Sequence, residues 1–265
     1  MEHMHWLEAL VLGIIQGLTE FIPISSSGHL VIAQTFLSGA SDHLFLEFIN
    51  IGTMLALFVF FRKRIWGILR DIFVNKKYRL AINIIITVLP AGLLGYFLAD
   101  FIAVTPFFSS AVVVVFTLAI VGIVMVIVEK LPKLAPVKDG EALSKPRALI
   151  IGLAQALALI PGVSRSGSTI LAGRFMGLKP AEAAEYSFLA SLPIMLGVTL
   201  KVLVGNKEYL MANAGTLFLS NLAAFIAGMF AVGFLMKYLS NHSLAIFGWY
   251  RIVLALVLAV VLLLQ

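Results

Sequence analysis

"PGVSRSGST", residues 161–169, sets an arginine among four hydroxyls and two glycines, between the apolar runs "ALIIGLAQALALI" (148–160) and "ILAGRFMGL" (170–178). No carboxylate stands near Arg165 in the sequence. A proline–glycine break inside an apolar segment leaves backbone N–H and C=O groups unpaired, and lipid cannot satisfy them. A permanent cation at such a break is costly, so the default reading is a functional residue with a partner. That partner is expected to be an anionic substrate.

The rest of the chain makes the setting a membrane. Of 265 residues, 61% are hydrophobic and 12% charged, with a mean hydropathy of +1.06, whereas soluble domains carry about a quarter charged residues. Apolar stretches at 45–61, 81–103, 107–128, 186–204, 215–236 and 244–264 lie near the ~20 residues that a spanning helix needs. The ~10-residue alternating segments of a membrane barrel are missing from the sequence. The fold class is therefore an all-α integral membrane protein with six transmembrane helices. The start, "MEHMHWLEAL", shows neither a basic leader region nor a small-residue cleavage site, so the first apolar segment is expected to stay in the mature protein. The absence of cysteine excludes disulfides, thiol chemistry and thiolate metal sites.

The net charge of +6 reports topology, and no nucleic-acid partner is expected. Arg62, Lys63, Arg64, Arg70, Lys76, Lys77 and Arg79 follow the first span; Lys130, Lys133, Lys138, Lys145 and Arg147 follow the third. Both linkers are cytoplasmic by the positive-inside rule, and the two spans between them agree in parity. They read as orientation signals in lipid-facing loops, not as binding sites. Segment 34–44, without Lys or Arg, and the loop near Asn206 are expected outside.

Segments 7–33 and 147–178 fit this scheme only as re-entrant helical hairpins, broken at "IPISSSGH" (22–29) and "IPGVSRSGST" (160–169) and dipping in from opposite faces. "LGIIQGLTEFIPISSSGHL" and "IGLAQALALIPGVSRSGST" align at an offset of 139, with Gly13 over Gly152, Gln16 over Gln155, and Ser27-Gly28 over Ser166-Gly167. Two such elements with opposed access form an inverted-topology repeat, with a site where the breaks meet near the midplane. The expected organisation is one polytopic domain, residues 1–265, with halves 1–129 and 147–265 joined by a cytoplasmic linker 130–146. Asn50, Asn83 and Asn221 read as packing hydrogen bonds between helices.

In "PGVSRSGST" a helix is expected to restart at "STILAGRF", and a helix N-terminus after a glycine turn is a phosphate cradle. Arg165 supplies a planar fork, and Ser164, Ser166, Ser168 and Thr169 supply hydroxyls. Ser166 or Ser168 is also expected to cap the new helix. The first break looks like the reactive half: Glu20, His29 and one of Ser25, Ser26 and Ser27 form a candidate nucleophile–base–orienter set, with Ser25 and Ser27 also facing phosphate. Gln16 and Glu20, one turn apart, offer oxygens to Mg²⁺ or Ca²⁺, completed by water and substrate phosphates. A structural Glu20–Arg165 ion pair is the plainer alternative, but one salt bridge does not need so many hydroxyls.

"QGLTEFIPISSSGH" (16–29) and "PGVSRSGST" resemble the two motifs of the undecaprenyl-diphosphate phosphatases, membrane enzymes also named for bacitracin resistance. The similarity continues through "GRFMGL" (173–178), "AAEYSFLASLPIMLG" (183–197) and "WYRIVLALVL" (249–258) and covers essentially the whole chain. The resemblance implies dephosphorylation of undecaprenyl diphosphate, which recycles the lipid carrier of cell-wall (peptidoglycan) synthesis. The site would open to the external, periplasmic face of the cytoplasmic (inner) membrane. It implies functional roles for Glu20, Ser26, His29, Ser164, Arg165, Ser166 and Thr169, with Gln16 at a position where relatives carry Glu or Gln. It also implies activation by a divalent cation, Mg²⁺ or Ca²⁺. Ser26, His29 and an activated water stay open as the group that attacks phosphorus. The partners implied are a polyprenyl diphosphate lipid and membrane lipids, with a homodimer left open. A secondary transporter or flippase for a phosphorylated lipid is the alternative function, since inverted repeats with broken helices serve carriers too.

Overall fold

A computed structural model describes residues 5–34, 37, 42–132 and 134–264; most of segment 34–44, and Lys133, lie outside the described residues. In chain order the helices are α1 Trp6–Phe21, α2 Ser26–Gln34, α3 His43–Phe60, α4 Arg62–Phe73, α5 Arg79–Phe97, α6 Ala99–Val104, α7 Ala111–Lys130, α8 Lys145–Ala156, α9 Arg165–Phe175, α10 Pro180–Gly205, α11 Lys207–Ala212, α12 Ala214–Leu239 and α13 Ala245–Leu263. Among the described residues there is no strand.

Among the described residues six helices are long and apolar enough to cross a membrane: α3, α5, α7, α10, α12 and α13. They overlap the six expected stretches, and the protein is a multi-pass membrane protein. Exposed Ile85, Leu89, Phe116, Ile120, Phe230, Phe234, Val253 and Val257 recur at helical spacing and give the spans their lipid-facing sides.

The two broken segments are each a pair of shorter helices. Pro23 and Pro161 cannot donate to a helix, and each forces the residue before it, Ile22 or Ile160, into extended backbone. α1 has 16 residues, α2 has 9, α8 has 12 and α9 has 11. At about 1.5 Å per residue, each falls short of the roughly 30 Å of a hydrocarbon core.

α1 lies along α12, and α3 packs on α12 from another side; α8 lies along α5, which also meets α10. α7 and α13 approach through two glycines. A Cβ on Gly122 would stand 2.8 Å from the Gly248 carbonyl oxygen, and one on Gly248 would stand 2.7 Å from that of Gly122. Asn221 on α12 accepts the Gly52 N–H of α3 at 2.6 Å, the interhelical role expected of it.

Three expectations change. The stretch 81–103 is not one span: α5 ends at Phe97 and a separate α6 starts at Ala99, with Asp100 in its first turn, where the helix dipole favours a carboxylate. The basic linker after α3 is not a loop, because α4 has Ile65, Trp66, Ile68, Leu69, Ile72 and Phe73 at helical spacing. With Trp66 and Phe73 exposed beside Arg62, Lys63 and Arg70, it has the character of an interfacial helix. The linker 130–146 is not wholly lipid-facing either. Leu143 is buried, and Asn83 Nδ2 donates to the carbonyls of Gly140 and Leu143, both at 3.0 Å. Asn83 therefore serves loop carbonyls inside the bundle, which need donors, instead of another helix.

Candidate active site

Beyond each proline the chain makes the same move. Ser25 and Ser164 both have φ of 72°, a left-handed conformation that costs a non-glycine residue about 1–3 kcal/mol. Each hydroxyl then caps the helix that follows: Gly28 N–H donates to Ser25 Oγ at 3.3 Å and Gly167 N–H to Ser164 Oγ at 3.1 Å. Each capping oxygen also meets the serine two residues on, Ser25 with Ser27 at 2.9 Å and Ser164 with Ser166 at 3.2 Å. The cap is therefore Ser164, not Ser166 or Ser168, because α9 starts at Arg165 and not at Ser168.

That earlier start also decides where the other hydroxyls point. Ser168 Oγ and Thr169 Oγ1 donate to the Arg165 carbonyl at 3.0 and 2.8 Å, and Thr169 Oγ1 also meets Ser187 Oγ. Both are buried within the helix packing and stay off the cavity walls. Ser166 Oγ reaches the Glu20 carbonyl at 3.2 Å.

The two breaks meet at Glu20. Arg165 Nη2 donates to Glu20 Oε1 at 2.5 Å, so the arginine without a neighbour in sequence has a carboxylate counter-ion 145 residues away. Its counter-ion in the free protein is Glu20, not a substrate. Glu20 Oε2 accepts from Ser26 Oγ at 3.0 Å and from Gln16 Nε2 at 2.9 Å, and Gln16 Nε2 also donates to Asn50 Oδ1 at 2.6 Å. Asn50 is thus a neighbour of the site as well as a link between helices. A further contact crosses the halves: Gly162 N–H donates to Ser27 Oγ at 3.1 Å.

Two cavities of about 340 Å³ each share a wall made by Glu20, Ser26, Ser27 and Arg165. The first runs past His43 and Glu47 of α3 to Ile194, Met195 and Val198 of α10. The second lies between the two breaks and Phe108.

His29 lies apart from the expected set. Its Nδ1 faces the Ser25 carbonyl at 2.8 Å and its Nε2 the Tyr250 hydroxyl at 2.7 Å. Only a protonated Nδ1 can pair with a carbonyl, so in the neutral ring Nε2 accepts from Tyr250. The two rings stack with centroids 5.7 Å apart. Both nitrogens are occupied, and the hydroxyl beside a carboxylate is that of Ser26. The structure brings together Gln16, Glu20, Ser26 and Arg165, with Ser25, Ser27, Ser164 and Ser166 around them, and leaves His29, Ser168 and Thr169 behind this front.

Tyr250 and Arg251 of α13 stand next to the site and escaped the sequence reading. Their signal was present, since an arginine inside the apolar run "WYRIVLALVL" is itself an ionisable group at membrane depth.

Among the described residues no group of three or more His, Asp or Glu side chains is arranged to hold a metal. Both Glu20 oxygens already accept hydrogen bonds. Gln16, Glu20 and Asn50 do put oxygen-bearing side chains on one cavity wall, the ligand type that Mg²⁺ and Ca²⁺ take. The donor set fits a cation that arrives with phosphate oxygens, and falls short of a closed protein site.

The family model described as bacitracin resistance protein BacA matches residues 9–257. The chain is 35% identical over 262 residues to undecaprenyl-diphosphatase 2 of Paramagnetospirillum magneticum, covering 98% of this chain and 100% of the relative. It is 39% identical over 266 residues to undecaprenyl-diphosphatase of Corynebacterium glutamicum (95% and 88%). With the undecaprenyl-diphosphatase of Acinetobacter baumannii the identity is 36% over 268 residues (98% and 97%).

Proposed function

The chain belongs to the bacitracin resistance protein BacA family, and from this premise we infer that it hydrolyses undecaprenyl diphosphate to undecaprenyl phosphate and inorganic phosphate. The observation that carries the chemistry is the meeting of Arg165, Glu20 and Ser26 at the junction of the two breaks. Arg165 offers a fork to the terminal phosphate, and Ser25, Ser27 and Ser164 line the cavity along its approach, with Ser166 behind them on the Glu20 carbonyl.

Glu20 is the base and Ser26 the nucleophile in this reading. When phosphate draws Arg165 from Glu20, the freed carboxylate takes the Ser26 proton across the existing 3.0 Å contact. Ser26 Oγ then bonds to the terminal phosphorus, and the bond from phosphorus to the bridging oxygen breaks. The lipid monophosphate leaves with that electron pair. Water next attacks the phosphoserine phosphorus, the bond from phosphorus to Ser26 Oγ breaks, Glu20 returns its proton to Ser26 Oγ, and inorganic phosphate leaves with the water's oxygen and protons. His29 supports this by holding the Ser25 carbonyl, which makes it a positioning residue. Charge on the transferred group is stabilised by Arg165 and the preorganised donors. A divalent cation would be held by Glu20 and Gln16 together with substrate oxygens, and would neutralise phosphate charge.

The polyprenyl chain lies along the first cavity, whose α10 wall of Ile194, Met195 and Val198 is apolar. The protein sits in the cytoplasmic membrane, with basic α4 and the linker 130–146 inside and the His43–Glu47 mouth outside. The halves form an inverted repeat with re-entrant hairpins. Three features support this: the twin serines at an offset of 139, the exchanged pairings of α1 with α12 and of α8 with α5, and the equivalent glycines. A Cβ on Gly13 would lie 2.3 Å from the Ser220 carbonyl oxygen, and one on Gly152 would lie 2.7 Å from that of Thr87.

The test is phosphate release from a long-chain prenyl diphosphate by the full chain in detergent, without any gradient. Wild type releases phosphate, and Arg165→Ala and Glu20→Ala lose at least ~100-fold. Binding without release by the wild type would instead indicate a carrier.

A further inference from the structure

Arg251 is fully buried, 0% exposed, six residues into the spanning helix α13. Among the described residues it forms no salt bridge with a carboxylate. Its fork is aimed at main chain. Nη1 donates to the Pro23 carbonyl at 3.4 Å, and Nη2 to the carbonyls of Gly162 at 2.6 Å and Val163 at 3.2 Å. Its Nε has no hydrogen-bond partner among the described residues. Pro23 belongs to the first break and Gly162 and Val163 to the second, so one guanidinium ties the two irregular segments together from behind.

The tie reaches the reacting side through one residue, Gly162. The Gly162 carbonyl accepts from Arg251, while the Gly162 N–H donates to Ser27 Oγ at 3.1 Å. Ser27 Oγ in turn meets the capping oxygen of Ser25 at 2.9 Å. That residue has little freedom. Gly162 has φ of +84°, a Cβ there would lie 2.0 Å from Thr117 Oγ1, and Thr117 Oγ1 holds the Pro161 carbonyl at 2.6 Å.

Placing a charge in such an interior without a carboxylate is costly. Three unpaired loop carbonyls also need donors, and a planar fork with several N–H groups serves carbonyls from two segments at once, which an ammonium cannot.

We propose that Arg251 is a positioning residue for phosphate hydrolysis. It sets the two breaks against each other through the Pro23, Gly162 and Val163 carbonyls, and so fixes Ser27 and Ser25 in the hydroxyl row around the Glu20–Arg165 pair. This rests on the reading of the site as a phosphatase centre. Arg251 touches no reacting atom, and it acts on geometry, where a displacement of about 1 Å costs about 100-fold in rate.

The experiment compares wild type, Arg251→Gln, Arg251→Lys, Ser27→Ala and Arg251→Gln/Ser27→Ala as full chains in detergent. It measures kcat and KM for phosphate release from a long-chain prenyl diphosphate, with the melting temperature and size-exclusion profile of each. Expected are a kcat about 100-fold lower in Arg251→Gln with KM within about threefold, and a smaller loss, about tenfold, in Arg251→Lys. The double variant is expected to be no worse than its worse single, because both changes break one chain of contacts. The inference is overturned if folded Arg251→Gln keeps kcat within threefold of wild type, or if the two losses multiply. Aggregation of both Arg251 variants also overturns it, since the role is then folding. A wild type that releases no phosphate refutes the phosphatase reading itself, an outcome separate from these.

Discussion

Ser25 and Ser164, 139 residues apart, share a φ of 72° and cap their helices through equivalent hydroxyls onto Gly28 and Gly167. Two strained serines in matching places mean that each break is held by the same local device. Alanine at either position keeps the strain and loses the cap, whereas glycine relieves the strain. Ser164→Ala is therefore expected to destabilise by about 1 kcal/mol more than Ser164→Gly, measured as melting temperature in detergent, with the same order at Ser25.

Glu20 is expected to be the proton acceptor. Glu20→Gln keeps the size, but its single amide oxygen can accept from Arg165 or from Gln16 and not from both, and it cannot take the Ser26 proton, so kcat should fall by about 10²–10⁴-fold with the fold retained. Rapid acid quench of the wild type should show a phosphoenzyme that is missing in Ser26→Ala.

With both His29 nitrogens engaged by Ser25 and Tyr250, the histidine holds a carbonyl and does not take the Ser26 proton. His29→Gln should therefore lower kcat by less than Glu20→Gln and still form the acid-quenched phosphoenzyme. A loss equal to that of Glu20→Gln would make the histidine the base. Tyr250→Phe, which removes the hydroxyl and keeps the ring stack, should cost less than His29→Gln.

Arg165→Lys keeps the charge and loses the fork. At a site built for planar recognition this is not conservative, and a loss of at least tenfold in kcat/KM is expected in the phosphate-release assay.

Chelation should lower turnover by more than tenfold, with recovery on adding Mg²⁺ or Ca²⁺. Calorimetry of either cation with the substrate-free protein should show no binding near micromolar affinity, because the carboxylate is already engaged by Arg165, Ser26 and Gln16.

The six spans were legible because an apolar run near 20 residues is a strong local signal. So were the breaks, whose prolines and glycines punctuate the chain. What sequence could not carry was direction. Ser168 and Thr169 look like phosphate donors in a row of hydroxyls, but a helix starting three residues earlier turns them onto the Arg165 carbonyl. The partner of Arg165 is 145 residues distant, so a local scan sees only an orphan cation. Arg251 was hidden by its surroundings, since one arginine in an apolar span changes composition little, and what it clasps is main chain that a sequence does not display.

The Glu20–Arg165 pair has one more consequence. A site whose cation is already neutralised from within is a lock closed on itself, and any visitor must outcompete an internal rival. A diphosphate, with more negative charge, competes better than the monophosphate left after reaction. In the proposed mechanism Glu20, once it has returned the proton to Ser26 Oγ, reclaims the arginine and helps to expel the product, so that substrate and product would be told apart by charge, although both carry the same lipid tail.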